Sequence, residues 1–271
     1  MDEVVRLGGG RPILESGRTL NGIADPMLFV LLNSDAVPVL IEKEARLGRF
    51  IHSRHVVQIV ESGERFIELE HISNVDDPPR WTEDLAGAGQ HISLLEQIGC
   101  SGLSLSLPRS RAPSERCYSD GVYREPARGD GSCWRFEWRA FLPSRRPMPG
   151  LDEILMSRDG PRALQETTPR VAEVEAVVRA DLARSWTLSN VAARLNTSSR
   201  TLQRELAAES TKFSEVLERL RLTEAQRLLD GSDLSVTDIG CVCGFADNSH
   251  FTRRFKKRLG LTPSKYKQRR G

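Results

Sequence analysis

TLSNVAARLNTSSRTLQREL (187–206) and SVTDIGCVCGFADNSHFTRRFKK (235–257) carry one plan twice. In the first stretch Leu188, Val191, Ala192 and Leu195 form an apolar helical face, residues 196–199 make a polar turn, and Leu202 and Leu206 resume the i, i+4 spacing. In the second, Val236, Ile239 and Cys243 match Leu188, Val191 and Leu195 at an offset of 48, while Phe251 and Phe255 match Leu202 and Leu206 at 49, so the turn has gained one residue. The apolar skeleton repeats and the exposed letters differ. That is the pattern of two helix-turn-helix units that pack alike and read different bases through their second helices.

Working outward, residues 213–229 place Phe213, Val216, Leu217, Leu220, Ala225, Leu228 and Leu229 at amphipathic helical spacing between the two units. Seventeen residues at ~1.5 Å each span roughly 25 Å. With side-chain offsets, such a strut sets the recognition helices about 34 Å apart, one turn of duplex. Arg219 and Arg221 on its polar side either touch DNA backbone or solvate the helix. Periodicity predicts further helices over 171–183, 188–195, 199–208, 236–243 and 248–259, with a last turn at 263–266.

The net charge of +2 conceals an asymmetry. Residues 170–271 hold 19 Lys and Arg against 12 Asp and Glu, or +7, which leaves 20 against 25, or −5, for residues 1–169. Residues 253–270 contain nine basic side chains and no acidic one, a concentration suited to phosphate contacts. A hydrophobic share of 39% and a charged share of 28% describe a globular chain with room for two domains. No apolar run approaches the ~20 residues of a membrane span, and the opening MDEVV lacks the basic then apolar pattern of a secretory signal. Five cysteines, odd in number, argue against a disulfide framework. The expectation is a cytoplasmic protein with no membrane partner.

The amino-terminal half reads as mixed structure. Residues 1–20, with a Gly triplet and little periodicity, are expected to be loosely packed. RFIHSRHVVQIVESGERFIELEHIS (49–73) alternates like two strands joined at ESGER. Leu85, Ala88, Ile92, Leu95 and Ile98 share a helical face that stops at Gly99. LSLSLP (103–108) and CWRFEWRAFLP (133–143) alternate again, the latter with Trp134, Phe136 and Trp138 on one face, and the stretch between them has the composition of an irregular loop. Pro143, Pro147, Pro149, Pro161 and Pro169 punctuate the passage to the helical half. The chain is therefore expected to be α+β: an N-terminal mixed α/β sensor or dimerisation domain with linker over 1–169, then an all-α domain over 170–271.

A recognition helix offers side chains to base edges near its N-terminus while apolar residues pin its other face. Ser199, Arg200, Thr201, Gln203 and Arg204 surround Leu202; Asn248, Ser249, His250, Thr252 and Arg253 surround Phe251. Arg pairs with guanine and Gln with adenine in bidentate fashion. Either face alone reads equally well as an ordinary polar helix surface; two at repeat-matched positions favour DNA readout.

The segment 170–270 resembles the DNA-binding domain of the AraC/XylS family of bacterial transcription regulators. Its last part, SVTDIGCVCGFADNSHFTRRFKKRLGLTPSKYK (235–267), is similar to the family signature at Ile239, Gly244, Phe245, Phe251, Arg254, Phe255, Lys256, Gly260, Pro263 and Tyr266, and departs from it at Gly240, where Ala is usual. The resemblance covers about 100 of the 271 residues. It implies seven helices, base contacts from the positions just named, phosphate contacts at the start of each recognition helix, double-stranded DNA and RNA polymerase as partners, an activating role, and an amino-terminal domain that binds an effector or makes a homodimer.

That amino-terminal half lacks the His and Glu constellations of a metal cupin, and no cofactor motif is legible in it. Arg124 and Arg128, and again Arg135 and Arg139, have the Arg-three-Arg spacing that PilZ proteins use to hold cyclic di-GMP, with Asp130 and Ser132 between them, although the PilZ pattern wants Gly where Arg135 stands. Paired guanidiniums grip phosphates; the bland alternative is strand-face and loop charge. His52 and His55 sit on strand or loop and make no helical metal pair, Cys241 and Cys243 point to different sides of a helix, and Gly8 to Gly10 do not open a phosphate loop. No catalytic constellation supports an enzyme fused to a DNA-targeting module, which is the contrasting class together with an effector-free DNA binder. Arg204→Ala and Arg253→Ala are each expected to weaken specific DNA binding by ~1 to 3 kcal/mol and to relax discrimination at different ends of the site. Titration against a panel of single-base site variants checks this: uniform weakening across all of them makes both residues phosphate contacts.

Overall fold

The computed structural model describes residues 9–20, 25–51, 53–108, 116–126, 131–144 and 168–269. They fall into two compact units, Met1–Arg146 and Pro147–Gly271. His52, Arg128, Asp130 and the proline-rich passage over 145–167 lie outside the described residues.

The first unit is a helical layer on an antiparallel sheet. Helices α1 (Arg11–Glu15), α2 (Pro26–Leu32) and α3 (Val37–Phe50), with a 3-10 turn at Ser16–Leu20, precede the hairpin β1 (His55–Ser62) and β2 (Phe66–Ser73). The long helix α4 (Trp81–Ile98) follows, then short strands β3 (Cys100–Ser101), β4 (Ser104–Ser106), β5 (Arg116–Ser119), β6 (Val122–Tyr123), β7 (Cys133–Glu137) and β8 (Ala140–Phe141). Six strands form one sheet in the order β1-β2-β7-β4-β5-β6, and β3 pairs with β8. Register carries a row of buried side chains across the sheet: Ile67 faces Phe136, Phe136 faces Leu105, Leu105 faces Tyr118, and Tyr118 faces Tyr123. Leu85, Ala88, Ile92, Leu95 and Ile98 of α4 close the same core, and the helix stops at Gly99, whose φ of 117° suits glycine.

Three local expectations are corrected. Residues 11–20, expected to be loosely packed, form a helix and a 3-10 turn, because Ile13 and Leu14 are buried and the 3-10 turn presses on α4: a Cβ on Gly17 would stand 2.0 Å from the Gly89 carbonyl oxygen. Such backbone contact joins residues far apart in sequence, which periodicity does not register. The loop expected between the 103–108 and 133–143 stretches contains the β5–β6 hairpin, turning at Asp120 and Gly121 with φ of 46° and 84°. The single strand expected over 133–143 is two, because after Glu137 the Trp138 N–H turns to the Arg65 carbonyl and the Arg139 N–H to the Ser101 carbonyl. Trp134, Phe136 and Trp138 are all core.

The second unit is all helix: α5 (Pro169–Arg179), α6 (Leu188–Arg194), α7 (Ser199–Ala208), α8 (Phe213–Gly231), α9 (Val236–Val242), α10 (Asn248–Leu259) and α11 (Pro263–Gln268). Val171, Val174, Val178, Trp186, Val191, Leu202, Leu206, Val216 and Leu220 share a core around the first helix pair. The Glu209 carboxylate accepts the Arg170 and Val171 N–H groups at 3.3 and 3.1 Å, so the far end of α7 caps the start of α5. On α8, Arg221 Nη2 donates to the carbonyls of Leu182 at 3.3 Å and Arg184 at 2.9 Å, and Arg219 pairs with Glu175 at 2.8 Å. Both arginines are therefore engaged within the domain. Gly244, in the turn of the second pair, has φ of 79°, and a Cβ there would lie 2.2 Å from the Leu182 carbonyl and 2.9 Å from Arg221 Nη2.

All five cysteines are buried and outside any disulfide, and burial pushes Cys100 and Cys117 up to about 12. Among the described residues no group of three His, Cys, Asp or Glu is placed to hold a metal, and no helix is long and apolar enough to cross a membrane.

Gly244→Ala is expected to cost about 2 to 4 kcal/mol, because left-handed strain and overpacking add; calorimetric unfolding of the full chain should show the helical unit melting earlier and the sheet unit unchanged. His91 gives a pH dependence. Burial opposes its charge, but the Glu44 carboxylate at 2.8 Å from Nε2 and the Gly87 carbonyl at 2.8 Å from Nδ1 outweigh it and raise its pKa above the ordinary 6.5. A raised value in the folded state means stabilisation that is complete below about pH 6.5 and lost as pH rises through the folded value. The melting temperature of the sheet unit should therefore fall as pH rises above about 6.5, and His91→Gln should flatten that slope.

Candidate nucleic-acid interface

Each helix pair is built by the same local devices. Thr187 caps α6 in a reciprocal box with Asn190, and Ser235 caps α9 in a box with Asp238. The first turn passes through Asn196 at φ 51°, the second through Gly244. The Thr197 N–H then returns to the Ala192 carbonyl at 2.9 Å, and the Phe245 N–H to that of Gly240 at 3.1 Å. Ser198 caps α7 by accepting the Thr201 N–H at 3.0 Å, and Asp247 caps α10 by accepting the His250 N–H at 2.7 Å. Leu202 and Leu206 bury the inner face of α7. Phe251 and Phe255 do so for α10, with Phe245 packed on Phe251 at 4.7 Å between ring centres.

With the inner faces fixed, the outer faces fall into register at a constant offset of 49. Ser199 and Asn248 are half-buried at the first helical position, Arg200 and Ser249 are exposed at the second, and Arg204 and Arg253 are exposed one turn on; Gln203 is exposed and its counterpart Thr252 half-buried. Thr201 and His250 hold the remaining matched position and turn towards the protein. The Thr201 hydroxyl bonds Ser198 Oγ at 2.9 Å. His250 Nδ1 lies 3.4 Å from the Ala246 N–H and Nε2 lies 3.3 Å from Arg254 Nε, and a neutral ring satisfies one of these donors at a time. Burial first, then Arg254 and Arg253, lower the His250 pKa, so at neutral pH the ring is uncharged.

Ion pairing separates structural arginines from available ones. Arg170 pairs with Glu205 and Glu173, Arg219 with Glu175, Arg227 with Glu224, and Arg254 with Glu218 at 3.2 Å. Arg200, Arg204 and Arg253 are exposed and make no ion pair among the described residues, and the same holds for Lys256, Lys257 and Arg258 beside them. Unpaired guanidiniums at the leading turns of two capped helices suit bidentate contacts to guanine or phosphate. The role of Arg254 as a strut from α10 to α8 is not legible in the sequence, where it is one more letter of the basic run.

The arginines expected to hold a cyclic dinucleotide are distributed differently. Arg124 is exposed just after β6. Arg135 on β7 stands over the Phe66 ring at 4.2 Å and bridges Glu68 at 3.4 Å and Glu137 at 3.1 Å. Arg139 is exposed and pairs with Asp120, while Ser132 is half-buried and its carbonyl accepts the His71 N–H at 2.7 Å.

Residues 191–269 match the model of a helix-turn-helix domain. Over 94 residues the chain is 34% identical to the HTH-type transcriptional activator CfaD of Escherichia coli and 33% identical to the DNA-binding dual transcriptional regulator Rns of the same organism. Each alignment covers 35% of this chain and 36% of the relative, so the chain spans about a third of the length of the curated relatives it matches. Among solved structures, a transcriptional regulator of the AraC-type DNA-binding domain-containing proteins from Chromobacterium violaceum is 26% identical, with 38% of this chain and 93% of that one covered at a TM-score of 0.36. Two capped helix pairs in one register, a helix joining them and a match over 191–269 have one meaning: the C-terminal domain of this chain is an AraC-type helix-turn-helix domain of the AraC/XylS family.

Proposed function

We propose that this chain is a sequence-specific DNA-binding transcription regulator, an activator controlled by a small molecule at residues 1–169, with residues 170–271 on the DNA. The observation that carries this is the constant 49-residue register of the two outer faces, with unpaired Arg200, Arg204 and Arg253 at matched or near-matched positions. Two recognition helices on one chain suit two successive major grooves of double-stranded DNA. The activating sign follows relatives whose names call them activators, CfaD and AggR of Escherichia coli. RNA polymerase is the partner an activator requires, a second copy of the chain is the natural one for a two-domain regulator, and the cytoplasm is the compartment where both DNA and reduced thiols are found.

The contrasting class, an enzyme or effector-free partner-binding domain on a DNA-targeting module, has no metal-holding cluster in its favour among the described residues. Cyclic di-GMP at Arg124, Arg128, Arg135 and Arg139 has less behind it than a ligand of other chemistry, because Arg135 already neutralises two carboxylates and Arg139 another.

Selection of random duplexes on the full-length protein tests the reading. The expected product is a motif of two elements centred about 10 to 10.5 base pairs apart, and a promoter carrying it should give more transcript with purified RNA polymerase when the protein is added. No enrichment over random duplex would overturn sequence-specific binding, and less transcript would reverse the sign of regulation.

A further inference from the structure

The first unit carries a half-open cavity of about 410 Å³ lined by residues of the 3-10 turn, α2, α3, the start of β1, β2, α4 and β7. That volume is at the small end of ligand sites. Leu28, Leu31, Leu47, Val57 and Leu94 supply an apolar lining, with Trp134 behind them. The polar side chains on the wall are two carboxylates, three imidazoles, Ser53 and Gln90.

Glu44 and Asp25 both reach the wall. Glu44 gives Oε2 to His91 Nε2 at 2.8 Å, keeps its side chain 27% exposed, and has no partner for Oε1 among the described residues. Asp25 gives Oδ1 to the Met27 and Leu28 N–H groups at 2.9 Å each as the cap of α2, and Oδ2 is in the same position as the second oxygen of Glu44. The imidazole nearest the Glu44 carboxylate is already matched: both nitrogens of the buried His91 ring donate, one to Gly87 and one to Glu44, which requires an imidazolium, while His55 stands edge-on to His71 at 5.0 Å between ring centres. His71 turns Nδ1 to the buried Asp84 at 2.8 Å, so that pair brings no net positive charge in either protonation state. Among the described lining residues there is no Lys or Arg.

Two carboxylates on the wall of a largely apolar cavity whose described lining has no Lys or Arg disfavour an anion and favour a positively charged hydrogen-bond donor, the more so as a lowered local dielectric strengthens the attraction. We propose that this cavity is the effector site and that it takes a small amine, a molecule with one apolar ring or short chain and one ammonium group that Glu44 and Asp25 receive. This rests on the reading of residues 1–169 as an effector domain and gives that domain a ligand class and a location away from Arg124, Arg135 and Arg139. The apolar body of the amine packs on the leucines of α2, α3 and α4, and the ammonium shares Glu44 with His91.

The test uses the full-length protein and three probes of one shape, 2-phenylethylamine, 2-phenylethanol and 3-phenylpropionate, with cyclic di-GMP as a fourth, read by thermal shift and titration calorimetry. The amine should stabilise the protein saturably and the carboxylate should not. Glu44→Gln should weaken the amine at least tenfold and erase its advantage over the alcohol. Because that change also removes the partner of His91, Ala45→Trp serves as the second variant: it fills the cavity from the wall of α3 and should abolish amine binding while leaving DNA binding intact. A response confined to the carboxylate or to cyclic di-GMP, or an amine response that survives Ala45→Trp, would overturn the amine site and leave effector control standing. Silence from all four probes would overturn the amine site and count against effector control as well.

Discussion

The helical domain depends on one guanidinium. Arg221 projects from α8 to the carbonyls of Leu182 and Arg184, where the chain leaves α5 for α6, and the turn of the second helix pair lies against the same side chain at Gly244. A single residue of the joining helix thus ties the entry of the first pair to the turn of the second. Two recognition helices discriminate sequence jointly only when their separation and rotation are fixed, since a loose pair reads two short words at any spacing. A hydrogen-bonded charge between fixed carbonyls is directional in a way that the leucine packing around it is not. This explains why the turn accepts no side chain at Gly244, whereas the equivalent turn of the first pair tolerates Asn196.

Around that clasp the domain sorts its positive charge into two populations. Arginines on α5, α8 and the inner flank of α10 are matched by Glu173, Glu205, Glu175, Glu224 and Glu218, and such pairs hold geometry; the more exposed of them add little stability. Those on the outer faces make no ion pair among the described residues. An excess of +7 over residues 170–271 is therefore not spread evenly; the unmatched part faces outward at the leading turns and along the end of α10. In the proposed reading, long-range attraction to a polyanion and close readout of bases fall to the same few side chains.

Most of the helical half was legible in the sequence. Its helices are short, amphipathic and separated by capping residues, so that i, i+4 spacing and Thr187, Ser198, Ser235 and Asp247 mark their limits locally. The outward residues of the candidate interface were legible too, because the repeat names matched positions; that Thr201 and His250 turn inward was not, since it depends on where Ser198, Ala246 and Arg254 come to rest. The sheet half was read in part. Its hairpin at 55–73 and its long helix follow from alternation and a glycine stop, but the contact of Gly17 with Gly89 joins backbones seventy residues apart and leaves no periodic trace. The β5–β6 hairpin did leave one, an Asp-Gly pair between short alternating runs, masked by the arginine, proline and serine content on both sides. The cavity has no sequence signature at all, being assembled from seven elements whose wall residues are unremarkable letters in each.

The buried thiols have a consequence of another kind. Cys241 and Cys243 lie within α9 and its end, sealed from solvent, and burial together with the Glu224 carboxylate holds the Cys243 thiol well above its ordinary pKa. A protonated, inaccessible sulfur is inert to oxidants and alkylating reagents. Reactivity appears only when the second helix pair comes apart, and what reacts then cannot refold into the space a bare thiol occupied. In a reducing medium each opening is reversible and leaves no mark. In an oxidising one every opening is a chance of permanent capture, so the working lifetime of the domain is set by how often it breathes and by the redox state of its surroundings, independently of its equilibrium stability.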